Sequence, residues 1–371
     1  MKETNVSKNL TKTLLITVLC ILLVGLAFVI KKLWNSRADF KAVDEHEMVN
    51  GKVADFRNTF CANPANLDKL SCKIINDNLT QSTNPNFNMV SSDTDTGLYM
   101  MNDDYGLSYY FRGTKGLLNN NVIFGGFQWK ILRINGDGSV RLIYNDVCTD
   151  DVCVINPNSA VASMTPFNNQ QDNLKYVGYV YDTNTSSTIK TVAETWYASN
   201  MMSYDQYISD TLFCGDRSGA RIYNSTTTLY APYDRLACTS GNTLCSSGDV
   251  SPTVMCANKT DRYTKSDTTL GNGLLTQKVG LITYDEIVLA GGKFFEQNNT
   301  YYLAGIGFWT ITPGKSDSLA AMTANFDTIS ASDAVNTSKG FRPVINLSSN
   351  VVFVSGDGSA ANPYKGNTPA S

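Results

Sequence analysis

"VIFGGFQWKILRINGDGSVRLIYN" (residues 122–145) decides how the folded part of this chain is read. Two runs of β-branched and aromatic residues flank NGDG, and Asn-Gly and Asp-Gly supply the positive φ that tight hairpin turns need. Gln128, Lys130 and Leu132 alternate with Trp129, Ile131 and Arg133, so one face of the first strand is mixed rather than purely polar. The stretch predicts an antiparallel hairpin. The GDG triplets at 136–138 and 356–358 read as hairpin turns rather than as phosphate or metal loops, and no cofactor is implied.

Working outward, "IKTVAETWYASNMMSYDQYI" (189–208) carries Ile189, Val192, Trp196, Tyr197 and Met201 near an i, i+3, i+7 stripe, which predicts a helix. "KVGLITYDEIVLAGG" (278–292) reads as a strand, a helical turn from about Thr283, and a Gly stop. "YYLAGIGFWTITP" and "GFRPVINLSSNVVFVSG" supply closing strands, with Pro343 requiring an edge or a bulge. Trp129, Trp196 and Trp309 are expected in the core. The fold class is therefore α+β, rich in antiparallel strands.

The N-terminal side differs. "TLLITVLCILLVGLAFVI" (13–30) is eighteen residues without charge or Pro, long enough as a helix to span about 27 Å of hydrocarbon. Lys31 and Lys32 follow it without a small-residue cleavage site, so it reads as a retained transmembrane signal anchor, with 1–12 as a cytoplasmic tail. Residues 31–96 read as a stalk and linker. Within them Met48, Val49, Val53 and Phe56 fall at nearly helical spacing, and 76–97 is polar. Residues 97–365 form the expected extracellular domain, and 366–371 a tail.

The chain has 371 residues with 30 Lys+Arg against 33 Asp+Glu. This balance and the absence of a basic stripe exclude nucleic acid as a partner; the partners expected are the lipid bilayer and a glycan or protein ligand. Of nine cysteines, Cys20 lies in the anchor, and the other eight point to disulfides in an oxidising compartment. Cys61–Cys72 and Cys148–Cys153 close short loops. For the rest, Cys214–Cys256 enclosing Cys238–Cys245 is favoured over Cys214–Cys238 with Cys245–Cys256. These bridges would pin a Ser/Thr/Gly/Asn-rich insertion at 214–275.

The motifs "DDYGLSYYFRGTKGLLNNNVIFGGFQWKILRINGDGSVRLIYN", "TWYASN…YISDTLFCGDRS", "GNGLLTQKVGLITYDEIVLAGG", "FWTITP" and "GFRPVINLSSNVVFVSGDGSAANPY" occur in one order over roughly 97–365. Together they resemble a family of single-pass surface proteins of low-GC Gram-positive-type gut bacteria, which implies a location and architecture rather than a reaction. The helix at ETWY, the Trp strand and the final GFRPVINL strand also resemble the C-type-lectin-like or formylglycine-generating-enzyme-like fold. Glu-Pro-Asn, Gln-Pro-Asp and Trp-Asn-Asp signatures are absent, which speaks against calcium-dependent sugar binding of the lectin kind.

The one histidine, His46, sits in the membrane-proximal segment, so Ser-His-Asp and Cys-His catalysis is disfavoured. The candidate ligand-binding residues are Asp216, Arg217, Tyr223, Trp309 and Arg342, with Arg217 able to meet a carboxylate or a sugar hydroxyl. Arg112 raises the same choice between clamp and internal pair. Asp93 and Asp95 could offer oxygens to calcium. Glu194, Asp205, Asp210, Asp216, Asp285 and Glu286 could supply a carboxylate pair for glycoside hydrolysis. The expected function is binding or adhesion at the cell surface. The alternatives are an envelope or pseudopilus-like assembly component and a carboxylate-based hydrolase.

Overall fold

The structure is a computed structural model that describes residues 48–49, 52–53, 55–82, 84–149, 152–153, 160–219, 221–222, 228–236, 250–293, 296, 299–314, 320–324 and 333–368. The expected span 13–30, His46, Tyr223, Cys238 and Cys245 lie outside these residues. Among the described residues no helix is long and apolar enough to cross a membrane. The chain divides into two compact units, Met1–Ala54 and Asp55–Ser371.

In the first unit, Met48–Val49 pairs antiparallel with Lys52–Val53. This corrects the helical reading of Met48, Val49 and Val53, whereas Phe56 does open a short α-helix, Phe56–Thr59. The residues between the two strands in sequence are Asn50 and Gly51, the same turn signal that marks the 122–145 hairpin, and it outweighs a loose helical spacing.

The second unit begins earlier than expected, which corrects the stalk and linker assigned to 31–96. Helix α1 (Leu70–Asp77) buries Leu70, Cys72, Ile74 and Ile75. It is tied to the far end of the chain by Leu70 N–H to Val351 O (2.8 Å) and Phe353 N–H to Asp68 O (2.7 Å). The Cys61–Cys72 disulfide closes the loop before it.

The strands that follow are β1 (Gly97–Asp103), β2 (Gly106–Arg112), β3 (Asn121–Phe124), β4 (Phe127–Ile134), β5 (Val140–Thr149) and β6 (Val152–Cys153). The predicted hairpin is β4–β5. Its turn runs through Gly138 at φ 79°, where a Cβ would lie 1.9 Å from the Phe56 ring, so only glycine fits. Next come β7 (Ser163–Thr165), α2 (Thr188–Asn200), α3 (Ala231–Leu236) and α4 (Tyr284–Ala290). They are followed by β8 (Phe308–Pro313), β9 (Ala320–Ala324), β10 (Asp333–Ala334), β11 (Lys339–Phe341), β12 (Val344–Leu347), β13 (Phe353–Ser355) and β14 (Tyr364–Gly366).

Two sheets result. The larger runs β12-β5-β4-β3-β14-β13, with β2 joining the end of β4 and β1 outside it. The smaller runs β10-β9-β8-β11-β7. Most pairs are antiparallel, and β14 with β3 and β11 with β8 are the parallel ones. GFRPVINL is not one strand: β11 ends at Phe341 in the smaller sheet and β12 starts at Val344 in the larger. Arg342 and Pro343 form the step between them. Pro343 has no N–H for a ladder, and its carbonyl accepts from Tyr144 N–H at 2.9 Å.

Both helices expected from sequence form, and their ends have local causes. Ser187 caps α2 by accepting from Lys190 N–H. Thr283 and Glu286 make a reciprocal capping box on α4, and Gly291 closes it at φ 119°. Residues 202–207 continue past α2 as a 3-10 segment rather than as α-helix. Trp129 and Trp309 are fully buried. Trp196 is only half-buried, wedged against Phe127, Trp129, Tyr144 and Phe341 with ring centroids 5.5–6.4 Å apart. Cys148–Cys153 and Cys214–Cys256 are bridged, so the sequential alternative for the insertion does not form.

Candidate functional site

Asp216 and Arg217 are adjacent in sequence and serve different partners. Arg217 grips Asp261, donating from Nε (2.8 Å), Nη2 (2.6 Å) and its backbone N–H (3.0 Å). Asp216 accepts from Arg235 Nη1 at 2.9 Å. Arg235 also makes a two-pronged contact with Asp285, both bonds 2.7 Å. Arg217–Asp261 and Asp216–Arg235 tie the insertion to itself, and Arg235–Asp285 joins it to the start of α4, so Asp216 and Arg217 are both engaged in ion pairs that organise the fold.

Beside them lies a second ionic knot. Glu286, on α4, meets Arg141 Nε at 2.5 Å and Arg133 Nη1 at 3.0 Å, with all three side chains buried. Burial alone would raise this carboxyl, but the Arg141 and Arg133 guanidiniums overcome it and hold Glu286 below its ordinary value. The cavity between Arg133, Arg141, Arg235, Asp216 and Asp285 has a volume near 10 Å³, room for one water.

The other acids are engaged likewise. Glu194 accepts from Lys190 Nζ and Thr276 N–H. Asp205 accepts from the Tyr197 hydroxyl and Lys278 Nζ. Asp210 accepts from the amides of residues 265–267. Asp95 is held by Arg112 Nε (2.8 Å) and Ser92 N–H (2.6 Å), beside exposed Asp93 in the same 3-10 turn. Among the described residues no cluster of His, Cys, Asp and Glu is placed to hold a metal ion.

Trp309 and Arg342 separate as well. Trp309 donates Nε1–H to Thr165 O at 2.9 Å and stacks edge-on against Phe167, joining β8 to β7 inside the core. Arg342, at the step between the sheets, lines a recess of about 130 Å³. Asn145 of β5, Tyr302, Leu303, Ala304 and Ala160 are buried around it. Lys130 of β4 is half-buried in the wall, while Lys115, Gly116 and Ala360 are exposed at the rim.

The hydrogen bonds made by these side chains go to neutral groups. Arg342 donates Nε–H to Tyr144 O (3.0 Å) and Nη1–H to Leu303 O (3.3 Å), and lies over the Phe308 ring at 4.8 Å. Lys130 Nζ donates to Asn121 Oδ1 at 2.5 Å, and Asn145 Nδ2 to Gln128 Oε1 at 3.1 Å. Burial, with Arg342 and Lys115 adding repulsion, lowers Lys130 to about 8, and burial lowers Arg342 to about 10. Burial and Arg342 likewise lower Lys115. The recess can thus donate hydrogen bonds to oxygen acceptors on a ligand.

Of the expected ligand residues only Arg342 lines this recess. Lys115, Lys130 and Asn145 were missed, and the signal that could have found Lys130 was the mixed face of its strand. Comparison of the chain with protein families, curated proteins and solved structures finds no match.

Proposed function

We propose that this chain is a surface-anchored binding protein, held by the 13–30 span, whose extracellular domain recognises a glycan or protein ligand at the Arg342 recess. The observation that carries the reading is a solvent-reaching concavity, part apolar and part hydrogen-bond donor, where β4 and β5 of the larger sheet meet the Arg342 step and the segment at Tyr302–Ala304. Three disulfides among the described residues support an oxidising location. The C-type-lectin-like likeness belongs to the same proposal, supported by the long disulfide-closed insertion between α2 and the final strands. The six acids considered for hydrolysis all have fold-building partners, which favours binding over catalysis.

The test is a glycan-array and host-protein screen of the oxidised full chain in detergent, with and without calcium. Saturable binding that disappears in Ala360→Trp, which plugs the exposed rim, is the expected result. Binding indifferent to the plug refutes the site. Silence from a demonstrably folded sample refutes recognition itself and favours envelope assembly.

A further inference from the structure

Four arginines are buried among the described residues: Arg112, Arg133, Arg141 and Arg342. The first three each meet a carboxylate: Arg112 meets Asp95 (2.8 Å), and Arg133 (3.0 Å) and Arg141 (2.5 Å) both meet Glu286. Arg235, Arg217 and Arg262, less deeply placed, are paired too, with Asp285 and Asp216, Asp261, and Asp104. Arg342 breaks the pattern, because its contacts are two backbone carbonyls and the face of Phe308.

The neighbouring cations do not relieve this. Among the described residues Lys130 donates to the neutral Asn121 Oδ1, and Lys115 stands at the rim of the same recess. Among the described residues that line the recess there are three cations and no carboxylate. A buried charge without a counter-charge is strongly unfavourable, and a fold that pairs its other buried arginines leaves this one open at a cavity. Leu303 and Ala304 provide an apolar wall beside the charges.

We propose that the recess is an anion subsite, built to receive the carboxylate of an acidic sugar between Arg342, Lys130 and Lys115. The proposal rests on the binding reading above and names the chemical group that is bound. A volume of about 130 Å³ approaches the roughly 150 Å³ that accommodates a benzene ring. It therefore holds a carboxylate with the few carbons around it, leaving the rest of the ligand at the rim. The carboxylate accepts from the guanidinium and the two ammonium groups, completing the pairing found at the other buried arginines.

The experiment measures thermal unfolding of the full chain in detergent with 50 mM sodium glucuronate, against 50 mM glucose with sodium chloride at equal ionic strength. With an affinity of about 1 mM, glucuronate raises Tm by about 4 °C and glucose leaves it unchanged. Lys130→Gln and Lys115→Gln each reduce the shift at least threefold, whereas Lys175→Gln, at an exposed pair with Asp182, keeps it. Arg342→Met unfolds no earlier than the parent without ligand, since it removes an uncompensated charge, and shows no glucuronate shift. Equal shifts from glucuronate and glucose, or a shift that survives Lys130→Gln and Arg342→Met, overturn the subsite. A glycan or protein that binds at the Ala360→Trp-sensitive recess without preferring acidic ligands also overturns it, while leaving the broader binding reading intact.

Discussion

Replacing Glu286 by Gln removes one negative charge and almost no volume, yet it strands two buried guanidiniums. The carboxylate forms the ion pairs of both Arg133 and Arg141, with Asp103 and Asp104 adding attraction at Arg133 alone, and it also accepts Thr283 N–H at 2.9 Å in the capping box of α4. Breaking a buried ion pair from one side costs about 3–5 kcal/mol, because the remaining charge stays desolvated without compensation. For a unit of this size that corresponds to a fall in Tm of about 6–10 °C, at roughly 2 °C per kcal/mol. Urea titration followed by tryptophan fluorescence should show a lower midpoint with the same slope, meaning lost stability without a change in the surface exposed on unfolding. Replacing all three members by Met should return the protein to within about 2 kcal/mol of the parent, since the desolvation penalty disappears with the charges. The effect also has a pH signature. The folded carboxyl lies below its ordinary value of 4.5, so its contribution is complete above pH 4.5 and fades as pH falls through the lower folded value. Glu286→Gln should lack that part of the acid limb. A loss under about 1 kcal/mol, or an unchanged acid limb, would refute the view that this knot is dry and charged.

Asp103 should show the opposite pH dependence. Burial raises its carboxyl to about 7 despite Arg133 and the amides of Tyr105 and Gly136, so the folded state binds the proton more tightly than the unfolded one. Relative to Asp103→Asn, the parent should gain about 2–3 kcal/mol between pH 7 and pH 5, at about 1.4 kcal/mol per pH unit, measured by urea titration at both pH values. Replacing Cys214 and Cys256 by Ser opens a loop of sequence separation 42, which the chain-entropy relation values at about 4 kcal/mol. Calorimetry of the double variant should show that loss. Gly138→Ala should cost about 2 kcal/mol or more, since the new methyl meets the Phe56 ring at a positive-φ position. A thermal melt would reveal it.

What was legible in the sequence was local. NGDG announced the β4–β5 turn, Thr283 and the Gly-Gly after Ala290 marked the ends of α4, and the close cysteine pairs found each other. Local pattern failed where two local signals competed, as at 48–53, where Asn-Gly prevailed over helical spacing. It also failed where meaning depends on distant partners. Polar spacing in 76–97 suggested a linker, but Thr80 bridges to Leu98, and Arg112, held by Asp95, also donates to Met89 O. Glu286 meets Arg141 from 145 positions away, and no periodicity records such a pairing. Arg342 stood out because Arg beside Pro is unusual in a strand. Its companions Lys115 and Lys130 sit in other segments, and only the packing of β4, β5 and the step at Arg342–Pro343 brings the three charges to one recess.

That step has a consequence for how the protein is made. β5 finds its outer neighbour only when Val344–Leu347 arrives, about two hundred residues later, and β3 finds its own when Tyr364–Gly366 lies down beside it. The central ribbon β3–β4–β5 therefore spends most of synthesis with both margins bare, in a topology whose long sequence separations slow closure. A chain terminated before Lys339 leaves both margins permanently open and the smaller sheet without β11. An unfinished copy presents unpaired strand backbone along this ribbon, and the last strands pair it.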